Sequence, residues 1–162
     1  MLRYDEKREK IAFKATDREI RVFEVEEQKQ DKSVIFNELV PPKSYITDFR
    51  LTSTMLVVAG TNFKVTFIDM EKKEIINEMK TEGIVSSVAL ALTDEANYLA
   101  CAILQDLNIY QVYNDFKTIV LMRKFYCLHR GKNLRLFYHF LLNFEFSFVN
   151  FLNTFFFFFR FL

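Results

Sequence analysis

The chain has 162 residues, enough for one ordinary domain, and its 22 basic and 21 acidic residues leave a net charge of +1. That balance excludes an overall electrostatic preference for nucleic acid or for an anionic membrane surface. Two cysteines exclude a disulfide framework, which makes a reducing compartment the default expectation. The N-terminal sequence MLRYDEKREK is charged and lacks the apolar core of a signal peptide.

Short apolar segments between polar turns predict β-strands through the first half of the chain. A charged stretch at Glu26–Lys32 is predicted to be a solvated loop, and the Pro41-Pro42 pair ends the strand that follows it. The strands predicted in this half are Glu9–Thr16, Glu19–Val25, Ser33–Leu39, Tyr45–Leu51, Met55–Gly60, Phe63–Asp69 and Glu74–Met79.

The next part of the chain repeats the pattern with a strand built on small residues. Ala100, Cys101 and Ala102 lie in its second strand, and small side chains there let a neighbouring sheet approach closely, as is common in β-propellers. The strands predicted in this part are Ile84–Leu92, Tyr98–Ile103, Leu107–Tyr113 and Lys117–Met122.

Three similar tetrapeptides mark an internal repeat with a period of roughly 43 residues, within the ~40–45 typical of WD40 repeats. They are Ile20–Phe23, Lys64–Phe67 and Asn108–Gln111. Asp69 stands where the Trp-Asp dipeptide of such a repeat would fall, and Tyr113-Asn114 stands there in the next unit. The chain departs from the pattern because no unit has the Gly-His pair or the tryptophan.

These features predict an all-β fold, a partial WD40 β-propeller of two to three four-stranded antiparallel blades within residues 1–122. The blades are expected near residues 9–39, 45–79 and 84–122. A generic antiparallel meander or sandwich is the alternative. Because a closed propeller takes about four to eight blades, we expect two blade faces to be uncovered and the chain to be part of a larger protein.

Residues 123–162 have a different composition and follow no strand or helix period. Most of the 20 phenylalanines lie there, and Phe155–Phe159 is an unbroken run of the kind that a thymine-rich tract encodes. This Phe-rich, non-native-looking tail is predicted to be translated intron or the product of a faulty gene model. A disordered or aggregating tail is a further alternative.

A membrane segment at residues 140–159 is the functional alternative for the tail. Its twenty residues match the length that spans a bilayer, and Glu145 is its only formal charge. Basic residues before it would place the N-terminal part in the cytoplasm. These residues are Arg123, Lys124, Arg130, Lys132 and Arg135.

The sequence predicts no catalytic, cofactor-binding or metal site, and we expect that the protein is not an enzyme. His129 and His139 lie in the tail, and no second ligand pair follows Cys127-Leu128-His129. Cys101 is predicted to be a small core residue. Four aspartates are predicted to lie at strand ends and to serve turns or caps. They are Asp48, Asp69, Asp94 and Asp106.

With the blades placed, residues 10–122 resemble the C-terminal propeller of the cirhin family of WD40 proteins. The segments that carry the resemblance are Lys10–Phe13, Arg21–Val25, Val88–Leu90, Asn97–Ala100 and Asn108–Lys117. The resemblance implies a scaffold of the U3 small nucleolar ribonucleoprotein and small-subunit processome, which would place the chain in the nucleolus with protein partners and pre-ribosomal RNA. The alternatives are a tail-anchored membrane protein with a small cytoplasmic β domain and an unrelated WD40 interaction scaffold.

Overall fold

The computed structural model of the chain describes residues 1–5, 7, 9–25, 33–92, 96–113 and 116–126. These residues contain twelve β-strands and no helix. The strands are β1 (Leu2–Tyr4), β2 (Lys10–Thr16), β3 (Glu19–Glu24), β4 (Ser33–Phe36), β5 (Ile46–Leu51), β6 (Met55–Gly60), β7 (Lys64–Asp69), β8 (Glu74–Lys80), β9 (Val85–Leu92), β10 (Asn97–Ile103), β11 (Asp106–Tyr113) and β12 (Thr118–Phe125).

The strands form three antiparallel meanders of four strands each, in sequence order. Sheet 1 contains β1–β4, sheet 2 contains β5–β8 and sheet 3 contains β9–β12. The first strands lie together, because β5 contacts both β1 and β9. The fourth strands β8 and β12 are largely exposed, whereas every residue of β6 is buried. Each sheet therefore runs from an inner edge shared by the three sheets to an outer edge in solvent.

Two apolar cores lie between the sheets, one on each face of sheet 2. Sheet 2 packs Leu56 and Val58 toward sheet 1, where Ala12 and Val22 lie in the same cluster. Because successive residues of a strand point to opposite faces, its intervening residues, such as Val57, belong to the second core with sheet 3. The all-buried composition of β6 follows from this position between two sheets.

The tight turns use few glycines, since residues other than glycine occupy the left-handed region of φ. Phe63, Lys73, Leu104 and Phe116 have φ values of 58°, 58°, 55° and 69°, each in a connection between consecutive strands. Packing of the flanking strands holds these residues in a conformation that costs about 1 kcal/mol or more each for a side chain with a Cβ. A β-rich chain with three glycines is thereby able to turn often.

The predicted all-β fold of four-stranded antiparallel units is confirmed, and the three repeated tetrapeptides lie in the third strand of each sheet. Most predicted strand bounds lie within one residue of the observed ones, and the larger differences are at β1, at the end of β12 and at β4, which ends at Phe36 instead of Leu39. Strand β1 was not predicted, because Leu2–Tyr4 is too short to show a period. Strand β12 continues to Phe125, beyond the predicted end at Met122, because Phe125 pairs with Leu107 across a register shift.

No helix among the described residues has the length and apolarity needed to cross a bilayer. The alternative membrane segment at residues 140–159 lies outside the described residues, as do His129, His139, Cys127 and Asp94. The predictions made for these residues therefore stay predictions.

Candidate functional site: the Asp48 cluster and the exposed sheet surfaces

Asp48 is a buried carboxylate in the middle of β5, at the inner edge of the three sheets. It is 2% exposed, and the prediction that it lies at a strand end is wrong. Its Oδ1 accepts hydrogen bonds from Arg3 Nη2 at 3.0 Å, Arg50 Nη1 at 3.0 Å and the backbone N–H of Phe49 at 2.9 Å. Two guanidinium groups therefore neutralise a charge that would be costly to bury alone.

The second oxygen of Asp48 reaches sheet 3. Oδ2 accepts hydrogen bonds from the Ser87 hydroxyl at 2.7 Å and from the backbone N–H of Val88 at 3.0 Å. Since Arg3 lies on β1 of sheet 1, one side chain connects all three sheets. A carboxylate with five donors is fully occupied, so this cluster holds the inner edge together and has no free oxygen for chemistry.

Further hydrogen bonds join neighbouring sheets away from Asp48. Lys14 Nζ in sheet 1 donates to the backbone oxygen of Ile46 in sheet 2 at 3.0 Å. Asn77 Nδ2 in β8 donates to the backbone oxygens of Phe116 and Lys117, at 2.9 and 3.1 Å, in the connection that leads into β12. Side chains of one sheet thus satisfy backbone acceptors of the next.

The predicted turn role holds for Asp69, whose Oδ1 accepts the N–H groups of Glu71 and Lys72 at 2.9 Å each. Asp106 begins β11 and lies 3.6 Å from Lys124 Nζ. Cys101 is a core residue of β10 with no exposed surface, as predicted, and burial raises the pKa of its thiol. Burial also raises the pKa of Tyr110, which accepts a hydrogen bond from Asn108.

An open depression of about 650 Å³ lies beside the β2–β3 turn. Arg18 is at its wall, where its Nε donates to the backbone oxygen of Val40 at 2.9 Å and its Nη2 lies 3.8 Å from Glu38 Oε1. The remaining lining residues are Thr16, Asp17, Glu19 and Asn37. Charges of both signs line it and no buried polar group points into it, so it has the character of ordinary surface.

Sheet 1 presents an apolar face on the side away from sheet 2. Leu2, Tyr4 and Ile35 are 49%, 55% and 47% exposed on it. The rings of Phe13 and Phe23 stack at the middle of this face with centroids 5.6 Å apart. Cross-strand register places the five side chains on one surface: Leu2 pairs with Phe13, and Tyr4 pairs with Ile11, which in turn pairs with Phe23. Ile35 and Phe13 both pair with Arg21, so the ion pair of Arg21 with Glu19 adds charge to this face. The corresponding face of sheet 2 is buried against sheet 1.

The outer edge of sheet 3 is a second apolar surface. Val120, Leu121 and Met122 of β12 are 44%, 50% and 56% exposed. Within the described part of the chain β12 pairs only with β11. In the sequence, the apolar residues of both surfaces look the same as apolar residues of the core. Only the order of the strands in the sheets shows that they are exposed.

No family model matches the sequence, and no curated protein shows a significant match. Solved structures are similar to it. The β-propeller domain of Cps50 (Swd1) from Myceliophteria thermophila is 20% identical with a TM-score of 0.56, over 73% of this chain and 41% of that chain. A chain of the mitotic checkpoint complex is 13% identical with a TM-score of 0.57, over 76% of this chain and 36% of that chain.

These likenesses, with the three meanders around a common inner edge, show that the described residues form part of a β-propeller in which each sheet is one blade. The chain spans about two fifths of the length of the structures that it resembles.

Proposed function

We propose that the chain is a non-catalytic scaffold of the WD40 type and that its three blades belong to a larger propeller within a multisubunit complex. The apolar outer face of sheet 1 carries the proposal. The corresponding faces of sheets 2 and 3 pack on the preceding blade, whereas Leu2, Tyr4 and Ile35 are about half exposed here. An exposed apolar patch of this kind marks a surface that another protein element covers.

The proposed complex is the U3 small nucleolar ribonucleoprotein of the small-subunit processome, where the chain would act in ribosomal RNA processing in the nucleolus. Support comes from the resemblance of Asn97–Ala100 and Asn108–Lys117 to the cirhin family. The repeat of which Asn108–Gln111 is the last member agrees with the observed blade order. Protein partners follow from the exposed sheet face, and contact with pre-ribosomal RNA follows from the resemblance alone.

The test is recovery of the full-length transcript and affinity purification of the tagged protein, with U3 RNA measured in the eluate. We expect U3 RNA to be enriched, and Tyr4→Asp on the sheet 1 face to reduce the enrichment. Tyr45→Asp is the matched control, because Tyr45 is 51% exposed and lies outside that face, against 55% for Tyr4. Equal enrichment of U3 RNA with the two variants would show that the sheet 1 face does not contribute to assembly of the complex.

Absence of U3 RNA from the purified protein would overturn the ribosomal assignment. Association with membranes that resists carbonate extraction would overturn it as well, in favour of the tail-anchor alternative. Splice signals near the codon for Lys124, with further blades encoded downstream, would exclude that alternative.

A further inference from the structure

The face of sheet 1 that points away from sheet 2 has the strand register of a blade interface. On it, Tyr4 pairs with Ile11, which pairs with Phe23. The row at the same position of sheet 2 lies in the core shared with sheet 1, and it consists of Leu51, Leu56 and Ile68. The sheet 1 face is therefore the receiving side of an interface whose other half is not supplied by the described residues.

The face of sheet 3 that points away from sheet 2 is the complementary side of such an interface. Ala100 lies between Leu99 and Cys101, which both belong to the core shared with sheet 2, so its side chain is on the opposite face. It pairs with Ile109 across the sheet. The pair at the same position of sheet 1 packs against sheet 2, and it consists of Ala12 and Val22.

The sheet 1 face is bulkier than the face of sheet 2 to which it corresponds. Aromatic rings stand at three positions where sheet 2 has aliphatic side chains: Tyr4 for Leu51, Phe13 for Val58 and Phe23 for Ile68. Leu2 for Phe49 is a change in the other direction. The charge of Arg21 on this face is already compensated by Glu19, at 2.6 Å. Such a face needs a recessed and apolar partner.

The sheet 3 face is recessed by comparison with its counterpart on sheet 2. Ala100 replaces Val57 and Ile109 replaces Phe67. A shallow depression opens there, and its lining residues include Ala89, Ala91, Tyr98, Ala100 and Ile109. Because blade interfaces pack at the density of a protein interior, the excess volume on sheet 1 and the missing volume on sheet 3 compensate each other if the two faces meet.

We propose that two copies of the chain close into one six-bladed propeller, in which the sheet 3 face of each copy packs on the sheet 1 face of the other. Closed propellers have about four to eight blades, so two copies of a three-bladed chain complete a ring and three copies exceed it. A twofold axis along the inner edges generates both interfaces. The proposal rests on the proposed function, because it identifies the protein element that covers the sheet 1 face.

Sedimentation equilibrium of the full chain tests the oligomeric state, and we expect twice the mass of one chain. Tyr4→Glu places a carboxylate in the interface and should raise the dissociation constant of the dimer at least about tenfold. Ile75→Glu is the matched control, because Ile75 is 57% exposed against 55% for Tyr4 and lies on the outer strand of sheet 2. It should leave the dimer unchanged.

A mixture of two variants shows which faces meet. Ala100→Glu should weaken the dimer at least about tenfold, as Tyr4→Glu does, because each substitution spoils both interfaces of a symmetric dimer. An equimolar mixture should form a heterodimer, since both substitutions then fall in one interface and the other is native. Circular dichroism checks that each variant is folded, and Tyr98→Glu replaces Ala100→Glu if that variant is unfolded.

Four results would overturn the proposal: a monomeric chain, a species larger than a dimer, equal weakening by Ile75→Glu, or no heterodimer in the mixture. Weakening by Tyr4→Glu but not by Ala100→Glu would also overturn it, by showing that sheet 1 meets sheet 1. A monomer that still enriches U3 RNA would overturn the dimer and leave the scaffold function intact. A dimer that enriches no U3 RNA would support the ring and overturn only the ribosomal assignment.

Discussion

Single residues determine how the three blades are joined, and Asp48 is the first of them. A buried carboxylate is costly to desolvate, and its partners compensate only while all of them are present. Arg3, Arg50 and Ser87 come from the three sheets, so each would lose a charged acceptor if Asp48 were neutralised. The cluster is therefore both a link between the blades and a point of weakness.

Asp48→Asn should lower the free energy of unfolding by about 3 kcal/mol, since removing one partner of a buried ion pair leaves the others uncompensated. Urea denaturation followed by circular dichroism measures the change. Asp17→Asn is the control, because the Asp17 side chain is 77% exposed and its ion pair with Lys14 should contribute less than about 1 kcal/mol. Equal losses in the two variants would contradict the role of Asp48.

Cys101 leads to a prediction about reactivity and pH. Burial raises the pKa of its thiol, so the folded protein holds it neutral while the unfolded chain ionises near about pH 8.5. Its contribution to stability is present below that pH and is lost as the pH rises above it. Burial also raises the pKa of Tyr110, so ionisation of this residue in the unfolded chain lowers the stability of the fold further above about pH 10.

We therefore expect Cys101, in a Cys127→Ser background, to react with a thiol reagent at pH 8 only after urea unfolds the chain. The free energy of unfolding should fall between pH 8 and pH 10, and Cys101→Ala should flatten that dependence. Reaction at the same rate with and without urea would show that the thiol is accessible in the folded protein.

At the scale of elements, the end of β6 depends on a glycine for space. A Cβ built on Gly60 would lie 2.7 Å from Val40 Cγ1 and 3.2 Å from the backbone oxygen of Tyr45, and Val40 is buried. The three atoms nearest to a Cβ on Gly83 all belong to the side chain of Leu104, which is 70% exposed and can turn away. The two glycines thus differ in what surrounds them.

Gly60→Ala should lower the free energy of unfolding by about 1–3 kcal/mol, because the added Cβ would also lie 2.7 Å from Asn62 Oδ1, and Val40 in the core and the Tyr45 backbone cannot move away as easily as that side chain. Gly83→Ala should change it by less than about 0.5 kcal/mol, since one exposed side chain can move. Thermal unfolding of the two variants measures the difference. A larger loss in Gly83→Ala would contradict the packing described here.

Elements with strong local patterns could be predicted from the sequence. Strand Met55–Gly60, for example, has the same bounds in the prediction and in the structure. What the sequence could not predict depends on contacts between distant residues. Strand β1 forms because Leu2–Tyr4 pairs with Ile11–Phe13. The role of Asp48 could be recognised only from its hydrogen-bond partners in β1 and β9, which lie 45 and 39 residues away along the chain.

At the scale of the whole molecule, sheet 2 is the common member of both cores. Phe49 faces the core shared with sheet 1, and Phe67 faces the core shared with sheet 3. Neither ring has any exposed surface, and the two rings lie on opposite faces of sheet 2. In an array whose units touch only their neighbours, stability is approximately a sum of units and interfaces.

Phe67→Ala should lower the free energy of unfolding by about 3–5 kcal/mol through the cavity that it leaves beside Phe116, whose ring centroid is 5.7 Å away. Amide hydrogen exchange should then accelerate mainly in sheet 3. Phe49→Ala should cost a similar amount and accelerate exchange mainly in sheet 1. Mass spectrometry of peptic fragments resolves the three sheets. If either variant accelerated exchange equally in all three, the blades would unfold as one unit, because coupling across the inner edge through Asp48 would then outweigh the nearest-neighbour interfaces.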